Sequence, residues 1–187
     1  MLDQTKITNR KVFYTQSVKP NIIIPEVSDY HRFVLGMSGS NPLVAICVNP
    51  SAANLANADS TVNKVAQASA DLGYDGWFVT NIYPERATNS NKLDSLNKKL
   101  VAENAEEIRK LLRQYRVKEV WGAWGEPKHP NLKAGLRALL EMLAQEGIKV
   151  FAFQINQSGN PRHPLYLKID PANRVEVDVS RLLHSVS

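Results

Sequence analysis

The sequence predicts an α/β fold, a three-layer sandwich around a mainly parallel central sheet of four strands. Three observations point there. From residue 43 onward, short apolar runs rich in β-branched residues alternate with stretches whose apolar residues recur every three or four positions. Two of those runs, LVAICV at 43–48 and WFVTNI at 77–82, carry no charge, as strands covered on both faces require. A chain of 187 residues with 43% hydrophobic content fills one core and leaves little for a second, so residues 1–187 are expected to form a single domain with 1–40 and 170–187 as flanks.

The first buried strand, 43–48, stops at Asn49-Pro50, where proline ends the ladder. Asp59 and Ser60 then offer N-cap chemistry, and Val62, Val65, Ala66, Ser69, Ala70 and Leu72 repeat at helical spacing up to Gly73. The second strand, 77–82, runs into a polar loop at 83–91. Helical spacing resumes over 101–115, with Ile108, Leu111 and Leu112 inward. A third strand is expected at 117–124, a third helix at 132–145 closed by Gly147, and a fourth strand at 148–155. Strand and helix alternating in this way predict parallel pairing with helices on both faces. Residues 11–16 and 30–37 read as strands added antiparallel at an edge, 165–169 as a short extended piece, and 175–179 as an alternating one.

Charge narrows the partners less than its sign suggests. Lys and Arg number 23 against 18 Asp and Glu, a net +5 with a pI near 9.3. The excess is spread along the chain, and its densest group, Arg109, Lys110, Arg113, Arg116 and Lys118, reads either as a phosphate-tracking stripe or as a solvated helix face paired with Glu106. The lone Cys47 has no partner for a disulfide and sits inside an apolar strand, where thiols are inert packing. The opening residues lack the apolar core of a signal peptide, and the longest uncharged stretch, 33–58, contains too many Ser, Asn and Pro residues to sit in lipid. A cytoplasmic protein without a membrane partner is expected. His31 and His184 have no companions at metal-ligand spacing, so neither a metal nor a cofactor is expected.

In an open parallel sheet, ligands bind beyond the carboxyl ends of the strands. Those ends supply Asn49, Pro50 and Ser51 after the first strand, Asn81 at the end of the second, Trp124, Gly125 and Glu126 after the third, and Arg162 and His163 after the fourth. Asn49 either shapes its turn or holds a ligand or water. Asn81 either closes a loop or reads a ligand edge. His163 is either an ordinary surface histidine or a group placed to stabilise developing negative charge. Arg86 and Thr88 would reach an anion or stay solvated. Ser60 and Thr61 would cap a helix or, through its N–H groups, hold a phosphate.

The ordered motifs NPSAAN (49–54), ADST (58–61), GYDGWFVTNIYPERAT (73–88), VWGAWG (120–125) and GNPRHPLYL (159–167) closely resemble a bacterial and phage family known as domain of unknown function 1643, over roughly residues 30–170. That resemblance implies a shared fold and no particular activity. A more distant one carries chemistry. Asn49-Pro50, Asn81, Trp124-Gly125 and His163-Pro164 are similar, in order and strand placement, to the motifs of uracil-DNA glycosylases, especially their mismatch-specific branch. It implies a glycosylase-like fold in which Asn49 holds water, Asn81 pairs with a base edge and His163 stabilises the departing base. Leu165 stands where that branch has serine, which bears on the strand-gripping role of the loop. The expectation is therefore a pocket for a nucleobase, nucleotide or nucleic acid, with catalysis at Asn49 and His163 and binding through Pro50, Ser51, Asn81, Arg86, Trp124, Gly125 and Arg162. The alternatives are a binding module without hydrolysis, or an enzyme of different chemistry that uses Asp59 or Glu126 as acid or base.

Overall fold

The computed structural model describes residues 12–14, 16–90 and 93–185. Its elements in order are β1 (Val12–Phe13), β2 (Ile22–Ile24), β3 (Val34–Met37), β4 (Pro42–Cys47), β5 (Asn57–Ala58), α1 (Ser60–Asp71), β6 (Gly76–Asn81), α2 (Lys98–Gln114), β7 (Glu119–Gly122), α3 (Pro130–Gln145), β8 (Lys149–Ala152), β9 (Val175–Glu176) and α4 (Val179–Ser185). The main sheet runs β2-β3-β6-β4-β7-β8-β9. Its centre, β6-β4-β7-β8, is parallel throughout and corresponds to the four strands expected from sequence.

The sheet nevertheless has seven strands, because β2 and β3 extend one edge and β9 the other, all antiparallel. Three antiparallel pairings thus stand beside three parallel ones, a mixed sheet in place of a mainly parallel one. The expected strand at 30–37 is β3. The one expected at 11–16 leaves only β1 among the described residues, and β1 pairs with β5 away from the main sheet. The piece at 165–169 is not a strand. Proline at 164 fixes a helical φ and opens a 3₁₀ turn over Pro164–Tyr166 instead. The alternation at 175–179 divides between β9 and the first residue of α4.

Period-two alternation divides the core. Leu43, Ala45 and Cys47 of β4, with Trp77 and Val79 of β6, pack against Val62, Val65, Ala66 and Ala68 of α1. Val44, Ile46 and Phe78 face the other way, onto Ile108 and Leu112 of α2 and Leu136 and Leu140 of α3. Helices therefore cover both faces, as the uncharged strands demand. Three basic residues in the second half of α2 are paired: Arg109 with Glu106 at 2.6 Å, Lys110 with Glu107 at 2.7 Å and Arg113 with Glu146 at 2.7 Å. That face is a solvated ion-pair network. No helix of the described residues is long and apolar enough to cross a membrane.

Candidate functional site

The parallel strands β4 and β6 end side by side, with Cys47 paired to Asn81. Beyond them opens a cleft of about 310 Å³, at the lower end of the roughly 300–1,000 Å³ spanned by small-molecule sites. Asn49, Ser51, Asn81 and His163 line it, joined by Arg32, Asp59, Ser60, Thr61, Thr88 and Ser90. Residues from five separated parts of the chain thus meet at the sheet edge. Pro50 is buried beside the cleft, and its carbonyl accepts from Ala87 N at 2.9 Å. Trp124, Gly125 and Arg162 do not line this cleft; they border a neighbouring cavity that shares Val48, Ser90 and His163 with it. Arg86 lines neither, because its guanidinium turns back to donate to Ser51 O at 3.0 Å and Ala53 O at 3.2 Å.

Asn49 shapes its turn, as one of its two sequence readings has it. Its Nδ2 donates to Ala87 O at 2.8 Å, tying the turn after β4 to the loop after β6. Among the described residues its Oδ1 has no hydrogen-bond partner, so the side chain presents an acceptor to the cleft. Asn81 is 1% exposed, and its backbone carbonyl accepts from Asn104 Nδ2 of α2 at 2.8 Å. Its Oδ1 accepts from Arg32 Nη2 at 3.4 Å, which orients the amide so that Nδ2 is the free donor.

His163 caps the 3₁₀ turn. Its Nδ1 accepts from Leu165 N at 3.4 Å, as His129 Nδ1 accepts from Asn131 N at 3.2 Å at the start of α3. His-Pro is in both places a capping device. An accepting Nδ1 puts the proton of the neutral ring on Nε2. Burial holds the imidazole below its ordinary pKa, partly offset by the charge of Asp59, so the neutral tautomer prevails at neutral pH. The loop that carries it is clasped from β7. Trp124, 1% exposed, donates Nε1–H to Asn160 Oδ1 at 3.1 Å, and Gly125 N donates to Pro161 O at 3.0 Å. Gly125 has φ +69, and a Cβ there would stand 3.2 Å from His163 Cβ, so its lack of a side chain is part of the fit. The Trp-Gly pair therefore positions His163 from behind.

The two carboxylates weighed as alternative acids or bases separate. Glu126 is tied up by the 156–160 loop, accepting from Asn156 at 2.7 Å, Ser158 at 2.6 Å and Asn160 at 3.2 Å. Asp59 does line the cleft, although its Oδ1 caps α1 by accepting from Val62 N at 2.8 Å. Burial pushes the Cys47 thiol up to about 12, which leaves it inert at the cleft floor. Among the described residues no group of three or more His, Cys, Asp or Glu is arranged to hold a metal ion.

Arg32 is the residue that sequence reasoning missed. It is 1% exposed, and its guanidinium reaches Ala53 O at 2.8 Å and Asn81 at the cleft. The available signal was a charged residue standing immediately before the apolar run FVLGM, a place where an arginine is either solvated or deliberately buried.

Fold and site together define an α/β protein with a polar cleft at the carboxyl edge of its parallel strands. The chain belongs to the family described as protein of unknown function, DUF1643, whose model matches residues 32–165. No curated protein and no solved structure matches it.

Proposed function

We propose that the cleft binds a nucleobase or nucleotide, free or within nucleic acid, on a fold of the uracil-DNA-glycosylase type, and that hydrolysis of an N-glycosidic bond is the reaction its residues serve. One observation carries the reading. Asn49, Asn81 and His163, which are 114 positions apart at their extremes, line a single cleft of about 310 Å³. In this reading Asn49 Oδ1 holds water against the sugar carbon and Asn81 Nδ2 donates to a ring oxygen or nitrogen. Nε2–H of the neutral His163 donates to the departing base as negative charge develops on it. Such a departure, through an oxocarbenium-like state, depends on the leaving group more than on a strong nucleophile, so no carboxylate base is required. A base in a duplex would first be flipped out of its stack.

The test is release of free base from uracil-containing oligonucleotides and from nucleosides, measured for the wild type and for Asn49→Ala and His163→Ala. Release that falls in both variants supports the reading. Binding of base without release favours a binding module. Asp59, the carboxylate on the cleft, supports a second reading in which different chemistry uses it as acid or base; turnover lost in Asp59→Asn but kept in Asn49→Ala would favour that one.

A further inference from the structure

The reading above leaves the buried guanidinium of Arg32 unused. Its Nη1 donates to a backbone carbonyl at 2.8 Å, its Nη2 to the Asn81 amide at a long 3.4 Å, and its Nε has no partner. None of these partners is anionic, and among the described residues Arg32 makes no ion pair. Burial lowers the guanidinium to about 10, with the nearby charge of Asp59 opposing the shift and that of Arg86 adding to it, so the group remains charged at neutral pH. A buried charge with no counter-ion is costly, and the cost falls when an anion completes it.

The surroundings favour an anion as well. Arg86 donates to the same Ala53 carbonyl as Arg32, bringing a second positive charge behind the cleft wall. Asp59, engaged in capping α1, stands near Arg32, and Asp29 stands near Arg86, so the two carboxylates balance the two guanidiniums and the pull on an anion comes from the donors that lack partners. The first turn of the twelve-residue α1 places Ser60 and Thr61 on the same cleft, at the positive end of the helix dipole. Because Arg32 takes Asn81 Oδ1, the amide keeps only its donor for a ligand. Arginine, amide, hydroxyls and helix terminus all donate, and a ligand made of oxygen acceptors suits them.

We propose that Arg32 and the Ser60-Thr61 turn form an oxyanion subsite beside Asn81, and that the ligand carries a phosphate there. The inference rests on the nucleotide reading for the rest of the ligand, and commits it to a phosphorylated form rather than a bare base or nucleoside. Its test is calorimetric titration of the full chain with uridine, adenosine and guanosine, with their 5′-monophosphates, and with orthophosphate alone.

A monophosphate is expected to bind at least about tenfold tighter than its nucleoside, since each charge-assisted hydrogen bond is roughly twice a neutral one. Arg32→Lys keeps the charge but loses the planar fork and is expected to shrink that preference severalfold. Should that buried replacement unfold the chain, the double variant Ser60→Ala, Thr61→Val, at exposed and half-buried positions, is expected to narrow the same ratio. Equal affinity for nucleoside and monophosphate would overturn the subsite and leave the nucleotide reading standing. Orthophosphate that binds, weakens in Arg32→Lys, and is accompanied by no nucleoside binding would support the subsite and end the nucleotide reading. Binding of none of the probes would overturn both.

Discussion

Adding one methyl group at Gly135 opposes two effects of known sign. Gly135 lies inside α3, where replacing glycine by alanine ordinarily gains about 1 kcal/mol of helix propensity. Here the helix passes directly over the end of β6. A Cβ at 135 would collide with the Ile82 carbonyl oxygen and stand 2.9 Å from the carbon that bears it, with Tyr83 N at 3.5 Å. The obstacle is backbone, so the contact cannot be relieved by a rotamer change. Helix and strand must move apart by on the order of 1 Å, and overpacking of that kind costs about 1–3 kcal/mol. The collision should offset or outweigh the propensity, leaving Gly135→Ala less stable by up to about 2 kcal/mol. In urea the midpoint should fall while the slope stays unchanged. Since Ile82 follows Asn81, ligand affinity at the cleft should fall as well. A Gly135→Ala protein more stable than wild type would refute the close approach of α3 to β6.

Other consequences are as direct. In Trp124→Phe the buried Asn160 Oδ1 loses its donor, and stability should drop by about 1–3 kcal/mol in the same denaturation assay, with His163 ring resonances broadened or shifted as its loop loosens. Because His163 is held below its ordinary 6.5, the unfolded chain binds more protons as pH falls through 6.5. Its contribution is therefore fully present above pH 6.5 and declines below it. An NMR titration of the ring should find a midpoint under 6.5, and the wild type should lose more stability on acidification than His163→Gln. Asn49→Ala removes the donor to Ala87 O and should destabilise by about 1 kcal/mol, whatever its effect on function, as read from its urea midpoint.

The parallel centre of the sheet was legible because its signal is local: uncharged runs at 43–48 and 77–82 have only one arrangement that keeps both faces dry. The edges were not. β2 and β9 are short, of three and two residues, and only their pairing to β3 and β8 makes them strands. The convergence of Asn49, Asn81 and His163 followed from strand polarity alone, since side chains at parallel strand ends must share an edge. Arg86 and Trp124 stand outside this cleft for one reason: each is a long side chain whose direction is set by tertiary hydrogen bonds, to Ser51 O and Asn160 Oδ1, that the sequence does not encode locally. Arg32 escaped notice for the converse reason. Its place before FVLGM is compatible with burial and with solvation alike, and the choice is made by the Ala53 carbonyl 21 residues later in the chain.

In the proposed function a nucleobase or nucleotide enters the cleft and meets Asn81 and His163. The most direct measurement is a ¹H–¹⁵N NMR titration of the labelled full chain with nucleosides and their monophosphates, following the Asn81 Nδ2 protons and the His163 Nε2 proton. Saturable shifts of both signals are expected in the wild type, with the His163 shift weakened or lost in Asn81→Ala. Unmoved Asn81 and His163 signals across the whole set of ligands would rule that function out.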